Sequence, residues 1–506
     1  MGPSDSEDSA SSFEGADGKA AAVRPGNNAW VTAGIIIADV VGAGILSMAN
    51  AVKHFGWLLG MLLIVALLAM NVHVSMLMWR AGMRHPEAHT YTDLVKAVFR
   101  DAPKVQRRVA ILVTSAAQYT FIFSILGLYV LSFGKGLGMI FYDVQVCLPY
   151  WALVGCALIL PFCLSARAMG TWTILIYLNV LTILGTITIP LVYMVVQGVE
   201  KTRPADSRYE AVASDLTFKG AMSGLSTFTF AFTSQFMLME IMSEMRDRSE
   251  LPKAYAGISA PFQLVAFTIV GLGGYYYLGS AVHGMIADNI PFGLAFRCAA
   301  GCLLVHMLIV YQIKGIVLCR AVHSALHPSS AEEDSRLAWT IWSALVLATC
   351  ALAFLFSQLV PFFSDFVDLL GAMLAPLSCL VIPILAYLRS LWPTKGKQTA
   401  DEDSSESTSE DSVDRNGGSI PGPQAVRGPR NRLVRIAEAL LIATELLLAG
   451  VLTVFGTITA VQNISMNWGT YGYPFDCHCE GLWSTCECSG DHSGMEEICL
   501  ANRTIA

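Results

Sequence analysis

The sequence is poor in charge. Only 14% of its 506 residues are Asp, Glu, Lys or Arg, against about 25% in soluble globular chains. Apolar residues make up 54%, and the mean hydropathy is +0.54. This excludes a soluble globular class and leaves a polytopic, all-α membrane protein. A basic stripe with interleaved aromatics is lacking, so nucleic acid is not an expected partner. No nucleophile–base set, phosphate-cradling loop or carboxylate pair in a catalytic setting is present, so neither an enzyme nor a bound cofactor is indicated. The ring of pore-lining charge that a channel needs is missing too. Residues 1–29 lack the basic start and short apolar core of a secretory leader. With Asp5, Glu7, Asp8, Glu14 and Asp17 they read as a disordered cytosolic tail.

Long apolar runs dominate what remains. A membrane span needs about 20 apolar residues. Eleven segments qualify: 30–52, 56–80, 109–133, 149–166, 170–197, 219–242, 257–280, 293–321, 337–358, 361–389 and 433–461. Basic residues set orientation. With the N-terminus in the cytosol, 24 of the 32 Lys and Arg fall on the inner side. Lys314 is counted there although it lies within an apolar run. The C-terminus is then outside or luminal. Segment 85–108 is too polar to span. Its Tyr91, Leu94, Val95, Val98 and Phe99 form a stripe, which predicts an amphipathic helix on the cytosolic face.

The domain reading follows. Residues 1–29 form the tail and 30–390 a ten-helix core. Residues 391–431 form an acidic, low-complexity linker that buries no core. An eleventh helix spans 432–462, and 463–506 form a Cys-rich outer tail. Cys147, Cys477, Cys479, Cys486, Cys488 and Cys499 are an even set on the oxidising side, which suggests disulfides or a metal knot. The other seven cysteines read as small packing residues. Asn463 and Asn502 begin glycosylation sequons.

Two runs are interrupted. The first is Asp39-Val40-Val41-Gly42-Ala43-Gly44-Ile45-Leu46-Ser47, with a carboxylate and two glycines at membrane depth. An ionisable group there is a functional hypothesis by default. The second is Phe218 to Gln235, rich in small and hydroxyl residues between aromatics. These are the first and sixth runs, at matching places in two five-span halves. Paired interruptions of this kind point to a transporter binding site. A broken helix frees N–H groups at one stump and C=O groups at the other. The N–H stump attracts an anion and the C=O stump a cation. A zwitterion suits the pair, with its carboxylate near Gly44-Ile45 and its ammonium near Phe230-Ala231-Phe232. Close helix packing through small residues is the competing explanation of the same glycines.

The residues also resemble a family. Gly42 to Ala51 followed by Phe55-Gly56-Trp57 resembles the first span of the amino acid/auxin permeases. Phe228 to Phe232, Met239-Glu240-Ile241, Met245 and Leu251-Pro252-Lys253-Ala254 resemble its sixth span and exit. Tyr91-Thr92-Asp93-Leu94, Gln118-Tyr119-Thr120 and the tyrosines between Gly271 and Gly279 resemble further parts. The likeness runs from about 30 to 390. It implies a LeuT-like 5+5 inverted repeat with broken helices 1 and 6, and secondary transport of amino acids driven by H⁺ or Na⁺. This chain has Ala49 where many relatives have Pro, and Ala38 where sodium-coupled relatives have Asn. The second departure weakens the sodium reading, and Asp39 beside it favours a proton.

In the implied fold, spans one and eight touch near a cation site. Asp39 and Lys314 are therefore expected to approach, with the Lys ammonium standing in for a metal cation. A snorkelling Lys314 is the alternative. The expected substrate site is Val41, Gly42, Ala43, Gly44, Ile45, Phe230, Ala231, Phe232 and Thr233, with Tyr119 and Tyr311 around it. No metal is expected. His73 reads as a packed, hydrogen-bonded histidine, and Glu445 as a partner for another span. Asp365 and Asp368 read as solvated. The functional reading is a proton-coupled amino acid symporter in the plasma or a vacuolar/lysosomal membrane. An amino acid sensor with little flux, signalling through its acidic tails, is the rival, and a sodium-coupled carrier another. The lipid bilayer and an amino acid are the partners; oligomeric state is not legible.

Overall fold

The computed structural model describes residues 26–142, 144, 146–167, 173–282, 284–331, 333–392, 432–471 and 473–475. Nearly all of the N-tail, the linker beyond 392, the five tail cysteines and Asn502 lie outside them. Among the described residues the chain is helical, as its hydropathy demands.

The first apolar run is divided into α1 (Ala29–Val40), α2 (Ala43–Leu46) and α3 (Met48–Lys53). Asn28 caps α1 by accepting from Val31 N–H at 2.9 Å. Then come α4 (Trp57–Arg84), α5 (Tyr91–Val98), α6 (Lys104–Ile140) and α7 (Leu148–Ser165). They are followed by α8 (Thr173–Gln197) and the short α9 (Val199–Thr202). The second interrupted run gives α10 (Phe218–Ala231) and α11 (Gln235–Ser243). Next are α12 (Ala260–Leu278), α13 (Leu294–Leu326), α14 (Pro328–Ala331) and α15 (Arg336–Leu359). The run 363–390 holds α16 (Phe363–Leu369) and α17 (Ile382–Ser390), joined by wider π-helical turns and bent by 42°. A final helix runs from Arg432 to Tyr471. Among the described residues, eight helices are long and apolar enough to cross a membrane, or nine with the bent pair counted as one. The interrupted runs 29–53 and 218–243 stand apart from that count because neither contains one long helix.

The core is built on α13, which packs along α6 and α8. One face of the bundle is basic. Arg84 donates to Ser390 Oγ at 3.2 Å, and Arg248 donates to Ala88 O at 3.1 Å beside them. The opposite, far face carries Lys53, which donates to Val282 O at 2.7 Å. There the loop 204–217 caps α4: Trp57 N–H donates to Glu210 O at 3.0 Å and Leu58 N–H to Ala211 O at 2.9 Å. Gly56 permits this with φ +85; a Cβ there would lie 2.7 Å from Ala211 O. Ser214, through its N–H and then its hydroxyl, holds the Glu210 carboxyl below the usual carboxylate range.

The amphipathic stretch 91–98 is a helix, but its apolar stripe packs against α6, α11 and α17 rather than resting on lipid. Tyr91 and Leu94 are fully buried. The last helix runs antiparallel to α4. Glu445 meets His73 at 2.8 Å and Glu438 meets Arg80 at 2.6 Å, two turns along both helices. Both acids therefore tie the last helix to the bundle. Seven cysteines in or beside the helices are free, and five of them are buried.

Asp365 and Asp368 correct the sequence reading. They are 8% and 2% exposed, not solvated. Their run is roofed by α10 and the last helix, which supply Ser223, Thr227 and Asn467 as partners. One turn further on, Gly371 touches α10 so closely that a Cβ would lie 1.9 Å from Ser226 O. Gly371→Ala is expected to cost about 1–3 kcal/mol or more by overpacking. A lowered thermal midpoint of the purified protein, beside an unchanged Gly257→Ala control with nothing within 4 Å, is the check.

Candidate functional site

The two interruptions face each other at the centre of the bundle. α1 ends at Val40, and Val41 turns away with φ −80 and ψ 60 before Gly42 at φ −120. Neither residue has a positive φ. Gly44 is needed for space. A Cβ on it would lie 2.4 Å from Ala231 Cα and 2.8 Å from Ala231 Cβ. The packing explanation of these glycines therefore holds at Gly44, and the helix break itself lies at Val41-Gly42.

The second interruption is Phe232-Thr233-Ser234. Its freed backbone finds side-chain partners, as burial requires. Asn71 of α4 donates to Phe232 O, and its own side-chain oxygen accepts from Tyr255 at 2.6 Å. The Tyr255 hydroxyl also meets Ser234 Oγ at 2.6 Å. Gln235 reaches back to Asn71 O at 3.1 Å and Ser75 Oγ at 3.0 Å. Gln118 of α6 donates to Phe236 O at 2.7 Å and Glu240 at 2.9 Å. At the first interruption Asn179 Nδ2 lies 3.4 Å from Ala38 O.

Between the interruptions lies a small cavity. It is lined by Asp39, Val40, Ala43 and Gly44 from the first run and by Phe230, Thr233 and Phe236 from the second. Ile125 and Tyr129 of α6 and Lys314 of α13 complete it. Its volume is about 20 Å³, room for about one water molecule. The Lys314 ammonium donates to Asp39 Oδ1. It also lies 5.4 Å from the Tyr129 ring centre and 5.9 Å from that of Phe236, within cation–π range. Lys314 is 2% exposed, so it neither snorkels nor belongs to the basic face. Asp39 Oδ2 is buried without a hydrogen-bond partner. The ammonium sits beside the carbonyl end of α1, which carries partial negative charge.

The structure thus brings Asp39, Ala43, Gly44, Phe230, Thr233 and Lys314 together around the cavity. Ala231 packs on Gly44 behind it, and Phe232 is turned toward Asn71 and Phe267. Val41, Gly42 and Ile45 are buried but lie outside the lining. Tyr119 is on α6 near Thr92 and Glu240, short of Ile125, the first residue of that helix to line the cavity, by a little under two turns. Tyr311 faces the cysteines at 156, 163 and 350. Tyr129, on the same helix as Tyr119, is the tyrosine that reaches the cavity. Sequence reasoning missed it, along with Ile125, Phe236, Asn71 and Tyr255. Asn71 had a signal: it is a lone amide within an apolar run.

Two further features frame the cavity. On the basic face Asn27 pairs by backbone with the exit of α11, through Asn27 N–H to Glu244 O at 2.8 Å and Arg246 N–H to Asn27 O at 2.9 Å. On the far face a larger recess of about 440 Å³ is lined by Lys53, His54, Asp215, Thr217, Lys219, Gly220, Ser223, Ser280 and Asn463.

Sequence comparisons with curated proteins agree on a class. The chain is 23% identical over 392 residues to "Amino acid transporter ANT1" of Arabidopsis thaliana, covering 72% of this chain and 86% of that protein. It is 22% identical to "Amino acid transporter AVT1E" of the same plant, covering 71% of this chain but only 65% of that longer relative. It is 20% identical to the "N amino acid transport system protein" of Neurospora crassa, covering 70% and 74%. Among solved structures, MhsT in complex with L-phenylalanine aligns with a TM-score of 0.48 at 16% identity, covering 85% of this chain and 98% of that one. The family and these curated relatives are transporters, not enzymes. The family profile described as "Transmembrane amino acid transporter protein" matches residues 25–402, well over half of the sequence, and the chain belongs to that family.

Proposed function

We propose that the chain is a secondary active transporter of amino acids, working by proton-coupled symport and alternating access. Its eleven spans comprise a ten-helix core of two inverted halves, with the interrupted runs as spans one and six, and one added helix. The basic face is cytosolic, in line with the positive-inside bias.

The observation that carries this reading is the Lys314 ammonium, held against Asp39 in a cavity that both interruptions line. A fixed protein cation beside the carbonyl end of α1 occupies the place a metal cation would need, which favours H⁺ over Na⁺. A proton arriving on Asp39 removes the charge that holds Lys314. The ammonium then moves, and the cavity opens toward α10. A free amino acid is far larger than one water, so the described state is closed around its site. The latch at Asn27 shuts the basic face, and the recess on the far face stops short of the cavity. The substrate carboxylate would lie near the N–H groups that begin α2, and its ammonium near the carbonyl end of α10.

The test is uptake of a radiolabelled amino acid panel by the purified protein in liposomes, with and without an inward proton gradient and with and without Na⁺. One pH unit stores ~1.4 kcal/mol, so one proton per substrate sets a ceiling of about tenfold accumulation. Gradient-driven uptake that ignores Na⁺ is expected. Binding without flux would overturn the proposal in favour of a sensor.

A further inference from the structure

A second carboxylate, away from the cavity, has no assigned role. Asp368 of α16 is 2% exposed. Ser223 donates to its Oδ2 and Thr227 to its Oδ1. These hydroxyls are four residues apart and share one face of α10. None of the ion pairs among the described residues includes Asp368. Lys53 on α3 is the facing cation, but its ammonium donates to Val282 O at 2.7 Å. Asp365, one turn away, is bonded by Asn467 of the last helix and faced by Lys135 of α6. His54 and Lys219 stand further out, in the lining of the far-face recess.

A buried carboxylate with two neutral donors and no cation in contact is costly while ionised. It does have a route to solvent. Ser223 both bonds Asp368 and lines the 440 Å³ recess. Thr227, on the other carboxylate oxygen, stands one turn before the end of α10 at Ala231. Next to this bridge, Gly371 and Ser226 put the two backbones in contact.

We propose that Asp368 is a proton-binding site loaded from the far-face recess through Ser223, and that its proton sets how firmly α10 is held to α16. The step forms one O–H bond on the carboxylate and breaks one O–H bond of a hydronium ion in the recess, leaving a water molecule there. Ionised, Asp368 accepts from both hydroxyls and clamps the half of α10 that leads to the interruption. Protonated, it carries a donor of its own, one hydroxyl must turn from donor to acceptor, both bonds lose their charge assistance, and the hold on α10 loosens. The site is distinct from Asp39–Lys314. Its role as a gate rests on the transport reading above; proton binding by Asp368 does not.

Infrared difference spectra of the purified full-length protein in liposomes, between acidic and alkaline buffer, read the proton directly. Wild type is expected to show the carbonyl stretch of a buried, protonated carboxylic acid. Asp368→Asn loses that band, Ser223→Ala shifts it by removing one donor, and Asp39→Asn keeps it. In the uptake assay Asp368→Asn flattens the dependence on far-side pH. No such band in wild type, or a band unchanged in Asp368→Asn, overturns the proposal. If Asp368→Asn does not fold, the band in Ser223→Ala and Thr227→Val decides: unshifted in both, the proposal is wrong. Absence of uptake with the band present removes the transporter reading and leaves the proton site standing.

Discussion

Asp39→Asn is expected to abolish gradient-driven uptake and to destabilise the fold. Lys314 is 2% exposed, and Asp39 is its only acidic partner among the described residues. Removing one member of a buried pair leaves an uncompensated charge, at a cost of about 3–5 kcal/mol. Uptake should fall by at least about 100-fold, equivalent to ~2.7 kcal/mol. Lys314→Met should fail in the same way, with Asp39 now the stranded charge. The double variant Asp39→Asn/Lys314→Met separates stability from function. With neither charge present it should recover much of the thermal midpoint lost by each single variant, while uptake stays absent. Wild-type uptake with an unchanged pH profile in Asp39→Asn would sink the coupling role. No recovery in the double variant would mean that the pair is not the cause of the instability.

Gly44→Ala is the second large effect. The added Cβ would stand 2.4 Å from Ala231 Cα and 3.2 Å from Ala231 N. Neither neighbour is a flexible side-chain end, so the two interrupted runs must move apart. Overpacking of this kind costs about 1–3 kcal/mol. The functional loss should be greater, because the same contact sets the spacing of the cavity. A misplacement of about 1 Å near reacting or binding groups costs on the order of 100-fold. Gly42→Ala is the contrast. Its nearest neighbours would be Asp39 O at 3.4 Å and His306 Nε2 at 3.5 Å, both within ordinary contact distance. It should cost far less of both uptake and substrate-induced thermal stabilisation. Equal losses in the two variants would show that backbone conformation, not the approach of Ala231, makes glycine necessary here.

Much of the fold was legible because membrane insertion leaves a one-dimensional trace. A helix must carry about 20 apolar residues to cross, so the long helices fall where the apolar runs do. The short run at 149–166, interrupted by Pro161, is a helix from Leu148 to Ser165. The two interruptions showed as glycine and hydroxyl clusters at membrane depth. Asp39 and Lys314 showed as ionisable groups inside apolar runs, where each must find a partner or a cavity.

Some readings that depended on which way a residue faces failed, although Asp39 meets Lys314 and Glu445 meets His73 as expected. Tyr119 and Tyr129 lie on one helix, and only the packing of α6 decides which of them reaches the cavity. Asp365 and Asp368 looked solvated because they lie near the start of an apolar run. They are buried because α10 and the last helix cover that start. Asn71 was overlooked because a single amide carries no periodic signal.

The sequence alone determined that this is a helical membrane protein with two interrupted runs and ionisable groups at their depth. Hydropathy and glycine content act locally and need no knowledge of distant contacts. The tertiary structure decided which of those groups meet. Asp39 and Lys314 are 275 residues apart, Ser223 and Asp368 are 145 apart, and Gly44 is held to Ala231 by backbone contact. Such pairs are set by how helices rotate and cross, and side-chain interdigitation fixes that only once the whole bundle has packed.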